Sequence, residues 1–309
     1  MRNSGAVIET RDLSVVYKGG ARKPIHAVSG LNLRVNEGEV VGFIGPNGAG
    51  KTTTIKVLMG FLFPTSGDAR VFGAKAGSLA PRRRTGFLPE VAVYYPFLTA
   101  RETLALYATL LEIPASGQEK TISRLIDRVG LSGRDREPLR TFSRGMLQRI
   151  GIAQAIMGDP DLLILDEVTS GLDPVARRDL RQILLELKSR GKTVFFSSHE
   201  LSEVTLVCDR VILIDEGKVL EERPLRELLE SMRRHVVTVT GATVPDILPD
   251  GVTLRNATEN RLTFVAETQS AQTQLVQEFE KVGAHILEMF QESGSLEDYF
   301  VKVVGHKVT

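Results

Sequence analysis

The 309-residue sequence carries one cysteine, almost no net charge and no long apolar run, and each absence excludes a class of protein. With Cys208 as its sole thiol the chain can form no internal disulfide, so packed cores must hold it together, and a reducing compartment suits it. The thiol lies in the apolar stretch 204–214, where a small buried hydrophobe is the expected role. The 39 Lys and Arg are offset by 38 Asp and Glu, and a formal charge of +1 gives no overall attraction to nucleic acid or anionic lipid. The longest apolar runs, such as 162–165 and 211–214, are strand-sized and fall far short of the ~20 residues of a membrane helix. Residues 1–11 lack the apolar core of a signal peptide. The chain is therefore expected not to span a membrane; if it serves transport, another polypeptide forms the path. Internal repeats and low-complexity segments are also missing.

What is there is enough for two domains, since 42% hydrophobic residues can furnish two cores. Short strands are expected at 6–9, 13–17, 31–35 and 40–44, then a helix over 50–62. The middle of the chain reads as helical, from 99 through 130 and again over 143–157, with Pro114 and Pro138 as punctuation. Strand and helix alternate from 162 to 214, which implies a parallel sheet flanked by helices. A hairpin at 217–221 and an amphipathic helix over 224–234 follow. Beyond His235 the character changes: strands at 236–240 and 262–266, a helix over 269–282, an extended stretch at 285–290, and a last helix on which Leu296, Phe300 and Val303 share a face. These predict a small α+β appendage.

Gly45-Pro46-Asn47-Gly48-Ala49-Gly50-Lys51-Thr52 fits the eight-residue phosphate-loop pattern, placed after an apolar strand and at the head of a helix. Its glycines let successive N–H groups curl toward phosphate oxygens while the helix N-terminus adds partial positive charge. Lys51 would bridge the β- and γ-phosphates, Thr52 would ligate magnesium, and Thr53 completes the nucleotide-binding run. A phosphate loop needs a second, acidic site. Asp166 and Glu167, ending the apolar run 162–165, supply it: Asp166 to hold magnesium, Glu167 to orient and deprotonate the attacking water. Taken alone, such an acidic pair marks only the start of a loop.

Between these motifs stands Thr141-Phe142-Ser143-Arg144-Gly145-Met146-Leu147-Gln148-Arg149, which resembles the signature of the ABC ATPase family. Read without the family, Ser143 is an ordinary helix N-cap. The resemblance covers roughly residues 6–233. It implies an α/β fold with a P-loop NTPase core, an antiparallel β subdomain and a helical insertion over about 91–158. The expected division is an ATP-binding domain over 1–233 and an accessory α+β domain over 234–309. It further implies that Ser143, Arg144, Gly145 and Met146 reach the ATP of an opposite subunit, that Tyr17 stacks on adenine, and that Ser170-Gly171-Leu172-Asp173 lines a dimer seam. His199 matches the switch histidine that contacts the γ-phosphate.

Three departures stand out. Glu90 takes the place of the family's glutamine and is expected near the magnesium, and Arg144 and Met146 replace a glycine and a glutamine of the signature. Such variants resemble the branch that includes drug and sodium exporters. The resemblance therefore implies an ATPase with ATP and Mg2+ as cofactors, working as a homodimer or paired with a related ATPase. It would sit peripherally on the cytoplasmic face of the cell membrane beneath a permease on a separate chain, with residues 91–98 facing that permease. Two other readings are weaker. A nucleic-acid-binding ABC protein of translation or repair would show two cassettes, a coiled coil or zinc cysteines, and the run Arg82-Arg83-Arg84 is a solvated face, so no nucleic-acid partner is expected. The other is that the appendage over 235–309 makes this a regulatory or purely assembling subunit with weak turnover, which basal hydrolysis by the purified protein would separate from the enzyme reading.

Overall fold

Alternating burial builds β1 (Ala6–Tyr17), which the sequence breaks into two strands and the structure keeps as one. Asp12 adopts φ 45°, and register shifts on either side of Leu13 absorb the interruption. The computed structural model describes residues 5–18, 23–169, 172–245, 247–258, 260–294 and 296–305. Their contacts divide the chain into the units Met1–Pro224 and Leu225–Thr309.

In the first unit β1 pairs antiparallel with β2 (Ile25–Asn36). Next come β3 (Val40–Ile44), buried at all five positions, and α1 (Lys51–Leu58). β4 (Ser66–Val71) and β5 (Ala74–Lys75) extend the first sheet to the order β2-β1-β4-β5, antiparallel throughout. After α2 (Leu79–Arg83) and β6 (Thr85–Leu88) the chain turns helical, with α3 (Ala100–Leu110), α4 (Ala115–Arg128) and α5 (Arg144–Ile156). The helical stretch over 99–130 is two helices parted at the Pro114 punctuation, where Glu112 takes φ 58° and Pro114 cannot donate to a helical ladder. α3 opens with a capping box: the Thr99 hydroxyl accepts the Glu102 N–H at 3.1 Å and Glu102 accepts the Thr99 N–H at 2.8 Å. Such a cap stabilises by about 1 kcal/mol.

Alternation then resumes with β7 (Leu162–Leu165), α6 (Pro174–Ser189), β8 (Thr193–Ser198), α7 (Leu201–Val207), β9 (Arg210–Asp215) and β10 (Lys218–Pro224). The second sheet runs β10-β9-β3-β8-β7-β6, parallel except for β10. That last strand returns through Glu216 and Gly217, both at positive φ, as a tight hairpin turn requires. β3, β7 and β8 expose almost nothing, the mark of parallel strands covered on both faces. Register sets the function of this sheet. Ile44 stands beside Ser198 and Leu165 beside Phe196, so the carboxyl ends of β3, β8 and β7 finish in line and the loops leaving them share one edge. Phe43 and Phe195, with ring centroids 5.2 Å apart, pack within the core beneath that edge.

The second unit begins with α8 (Leu225–Ser231), which the sequence assigns to the first domain and the contacts group with the second. β11 (Arg233–Thr240), β12 (Val252–Thr258), β13 (Arg261–Ala266), α9 (Gln269–Lys281), β14 (His285–Ser293) and α10 (Leu296–Gly305) follow. Its antiparallel sheet has the order β12-β13-β11-β14. α9 lays Leu275 and Phe279 against Val237, Val239 and Phe264. β12 goes unread in the sequence because only Val252 of its seven residues is buried, so no alternation betrays it. Among the described residues no helix is long and apolar enough to cross a membrane.

Candidate functional site

The loop between β3 and α1 is threaded through spaces that only glycine fits. A Cβ on Gly45 would lie 2.2 Å from the Ile214 carbonyl oxygen, and one on Gly50, at φ 105°, would lie 2.4 Å from that of Ala27. α1 starts at Lys51 with no side chain capping it, so its first N–H groups stay open to an anion. These backbone groups and the helix end line a cavity of about 420 Å³, together with Asn47, Lys51, Thr52, Thr53, Glu90, Glu167 and His199. The volume suits a small ligand.

Lys51 is buried and places all three of its donors. Nζ reaches the carbonyl oxygens of Gly45 at 2.7 Å and Pro46 at 3.2 Å, and pairs with Glu167 Oε1 at 3.1 Å. The other oxygen of Glu167 meets His199 Nδ1 at 2.6 Å. Glu167 takes φ 49°, a left-handed conformation uncommon for a glutamate, and its N–H donates to Ser197 Oγ at 2.9 Å. Asp166 lies deeper. Its Oδ1 accepts from Ser197 Oγ at 2.7 Å and from Thr52 Oγ1 at 3.3 Å. Burial pushes its carboxyl above the usual range, the Ser197 and Thr52 hydrogen bonds oppose this, and the charges of Glu167 and Glu90 add to the rise. A carboxylate so crowded with negative charge gains from a nearby cation.

Among the described residues no group of three or more His, Cys, Asp and Glu is arranged to hold a metal by itself. The pair that stands together beside this loop is the Asp166 carboxylate and the Thr52 hydroxyl. That hard-oxygen donor set fits magnesium, which keeps water and takes phosphate oxygens rather than a full protein cage.

The remaining expected residues fall into three groups. Tyr17 sits beside the cavity, its hydroxyl 3.4 Å from Thr53 Oγ1, but does not line it. Ser143, Arg144, Gly145 and Met146 line no part of it either. They form the start of α5, where the Ser143 hydroxyl accepts the Met146 N–H at 3.3 Å. Gly145 there faces Leu172 and Asp173, each about one contact distance (4.0 Å) from where a Cβ would stand. Asp173 caps α6 by accepting the Ala176 N–H at 2.9 Å, while Ser170 and Gly171 lie outside the described residues. Two participants escaped the sequence reading. Ala27 closes over Gly50 from β2 and left no signal; Ser197 could have been found only as a hydroxyl two places before His199 in an apolar strand.

Residues 28–170 match the family model described as ABC transporter. An ABC transporter ATP-binding protein of a Nostoc species is 37% identical over 321 residues, spanning 100% of this chain and 92% of that one. The bacitracin transport ATP-binding protein of Bacillus licheniformis is 37% identical over 306 residues, 97% of each. Among solved structures, a dimeric ATP-binding cassette in a post-hydrolysis state bound to ADP and Pi superposes with a TM-score of 0.66 at 26% identity, over 71% of this chain and 99% of that one. With such identity sustained from end to end, and the β3–α1 loop, Asp166, Glu167 and His199 gathered at one sheet edge, the chain belongs to the ABC transporter family as an ATP-binding, ATP-hydrolysing subunit.

Proposed function

We propose that the unit Met1–Pro224 binds ATP with Mg2+ and hydrolyses it between two chains, driving an export permease carried on a separate polypeptide. One observation carries the reading: Glu167 is held between Lys51 and His199 directly beside the Asp166–Thr52 pair. In this reading Lys51 leaves Glu167 for the β- and γ-phosphates, Thr52 and Asp166 hold the cation, and Glu90 stands by it. Magnesium, when bound, supplies charge neutralisation at the phosphate oxygens. Glu167, released from Lys51, accepts the proton of the attacking water, and His199 contacts the γ-phosphate. Tyr17 stacks on the adenine. Ser143, Arg144, Gly145 and Met146 serve the nucleotide of the opposite chain, with Leu172 and Asp173 at the seam, so two like subunits create two sites. The γ-phosphate favours the closed pair and its loss reopens it.

Export is supported by relatives named for bacitracin transport and, in Streptococcus pyogenes, for lantibiotic transport, the latter 40% identical over 196 residues. The loop after Glu90 exposes Val91, Val93, Tyr95 and Phe97, an apolar surface suited to the permease's cytoplasmic helices and hence to a peripheral place on that face of the membrane. The unit from Leu225 is then accessory.

Glu167→Gln tests the chemistry. Loss of a positioned base lowers turnover by about 10²–10⁴-fold, while ATP binding and ATP-dependent dimerisation persist. Near-normal turnover in the variant would remove Glu167 from the role.

A further inference from the structure

We propose that Ser197 is a positioning residue for ATP hydrolysis, a single hydroxyl that sets both the oxygen Asp166 offers to a cation and the backbone of Glu167. This rests on the roles just given to Asp166 and Glu167. Ser197 is the penultimate residue of β8 and is completely buried, and it lines no part of the cavity, so it acts through its neighbours.

A serine hydroxyl has one hydrogen to give and two lone pairs to receive with. The Glu167 N–H occupies a lone pair at 2.9 Å, which leaves the single hydrogen for Asp166 Oδ1 at 2.7 Å. The direction of the pair is therefore fixed, since a backbone amide can only donate. Thr52 also donates to Oδ1, at 3.3 Å. Both hydroxyls thus converge on one oxygen and hold the carboxylate so that Oδ2 is the atom left to turn toward a cation. The second bond acts on the neighbouring residue. Glu167 sits in a left-handed backbone conformation that its own side chain does not favour, and its N–H is the group by which that turn is tied to β8. With the turn tied, the Glu167 carboxylate spans Lys51 and His199. One atom of β8 therefore fixes two functional carboxyl groups on the end of β7.

Valine and threonine share a shape and differ in the hydroxyl, so Ser197→Val and Ser197→Thr isolate it, and Ser197→Ala adds no atom that could overpack the site. Thermal melting first establishes that each variant is folded. Groups that orient a metal ligand cost about 10- to 100-fold in metal affinity or activity when removed. The expected result is a rise of that size, in Ser197→Val and Ser197→Ala, in the magnesium concentration that half-saturates binding of a fluorescent, non-hydrolysable ATP analogue. kcat should fall comparably, while analogue binding in EDTA stays at the wild-type level. Ser197→Thr should restore most of both. A folded Val or Ala variant with wild-type magnesium dependence and kcat overturns the proposal, as does a folded Thr variant as impaired as Val. Asp166→Asn and Glu167→Gln run alongside. If both hydrolyse ATP normally, the roles beneath the proposal fail; if both are inactive while Ser197→Val matches wild type, the Ser197 proposal alone fails.

Discussion

A carboxylate at position 90 brings a third negative charge to a cavity already flanked by Asp166 and Glu167. Glu90 is exposed, and a single exposed charge is worth about 0.2–1 kcal/mol. Glu90→Gln should therefore raise the magnesium concentration for half-maximal turnover by up to about fivefold, leaving an active ATPase. The same charge helps lift the Asp166 carboxyl. A raised carboxyl keeps its proton further up the pH scale, and that proton must leave before a cation binds. Removing Glu90's charge should shift the acid loss of magnesium binding to lower pH. A magnesium titration of turnover at two pH values checks both, and superimposable curves would make Glu90 a bystander. At this scale the sequence is legible where chemistry confines residue type: Lys51, Glu167 and His199 meet at the cavity, and Asp166 stands behind it on Thr52. It is silent where a role comes from strand neighbours. Ser197 matters because β8 lies beside β7, thirty-one residues from Asp166, and nothing in its own surroundings says so.

Elements show the same division. β3 and β7 are read to the residue because their burial is continuous, whereas β12, with one buried residue in seven, is set by its strand partners. The phosphate loop adds a constraint of close approach that no motif states: Gly45 is pressed against β9 and Gly50 against β2. Gly50→Ala would combine an unfavourable left-handed alanine, about 1–2 kcal/mol, with a Cβ 2.4 Å from the Ala27 carbonyl oxygen. The loop or β2 must shift. The expected outcome is at least a tenfold loss of ATP affinity, about 1.4 kcal/mol, with the circular dichroism of the wild type, read by titrating a fluorescent nucleotide. Undiminished affinity would mean that the loop relaxes freely. Gly48→Ala is the control: it too has positive φ, but no atom lies within contact of its Cβ.

At the level of the whole molecule, the residues that would sense the γ-phosphate are split between two places on one chain: Lys51 in the cavity, Ser143 at an uninvolved helix start. Lys51→Ala and Ser143→Arg subunits should each be inactive alone. Mixed, they should regain up to about half of the wild-type rate per mixed dimer, since one of two equivalent sites would carry both lesions and the other none. No recovery in dimers proven to be mixed would count against shared sites. The absence of Ser143 from its own chain's cavity also bears on bulk behaviour. If two like chains share the sites, a solution of this subunit alone has no fixed specific activity. When dilute, its rate grows with the square of protein concentration, because the working unit is an encounter; when concentrated, the order falls to one. The bend between the two regimes measures the dissociation constant of the ATP-loaded pair. A permease that tethers two subunits side by side would hold them beyond that bend, however few copies a cell contains.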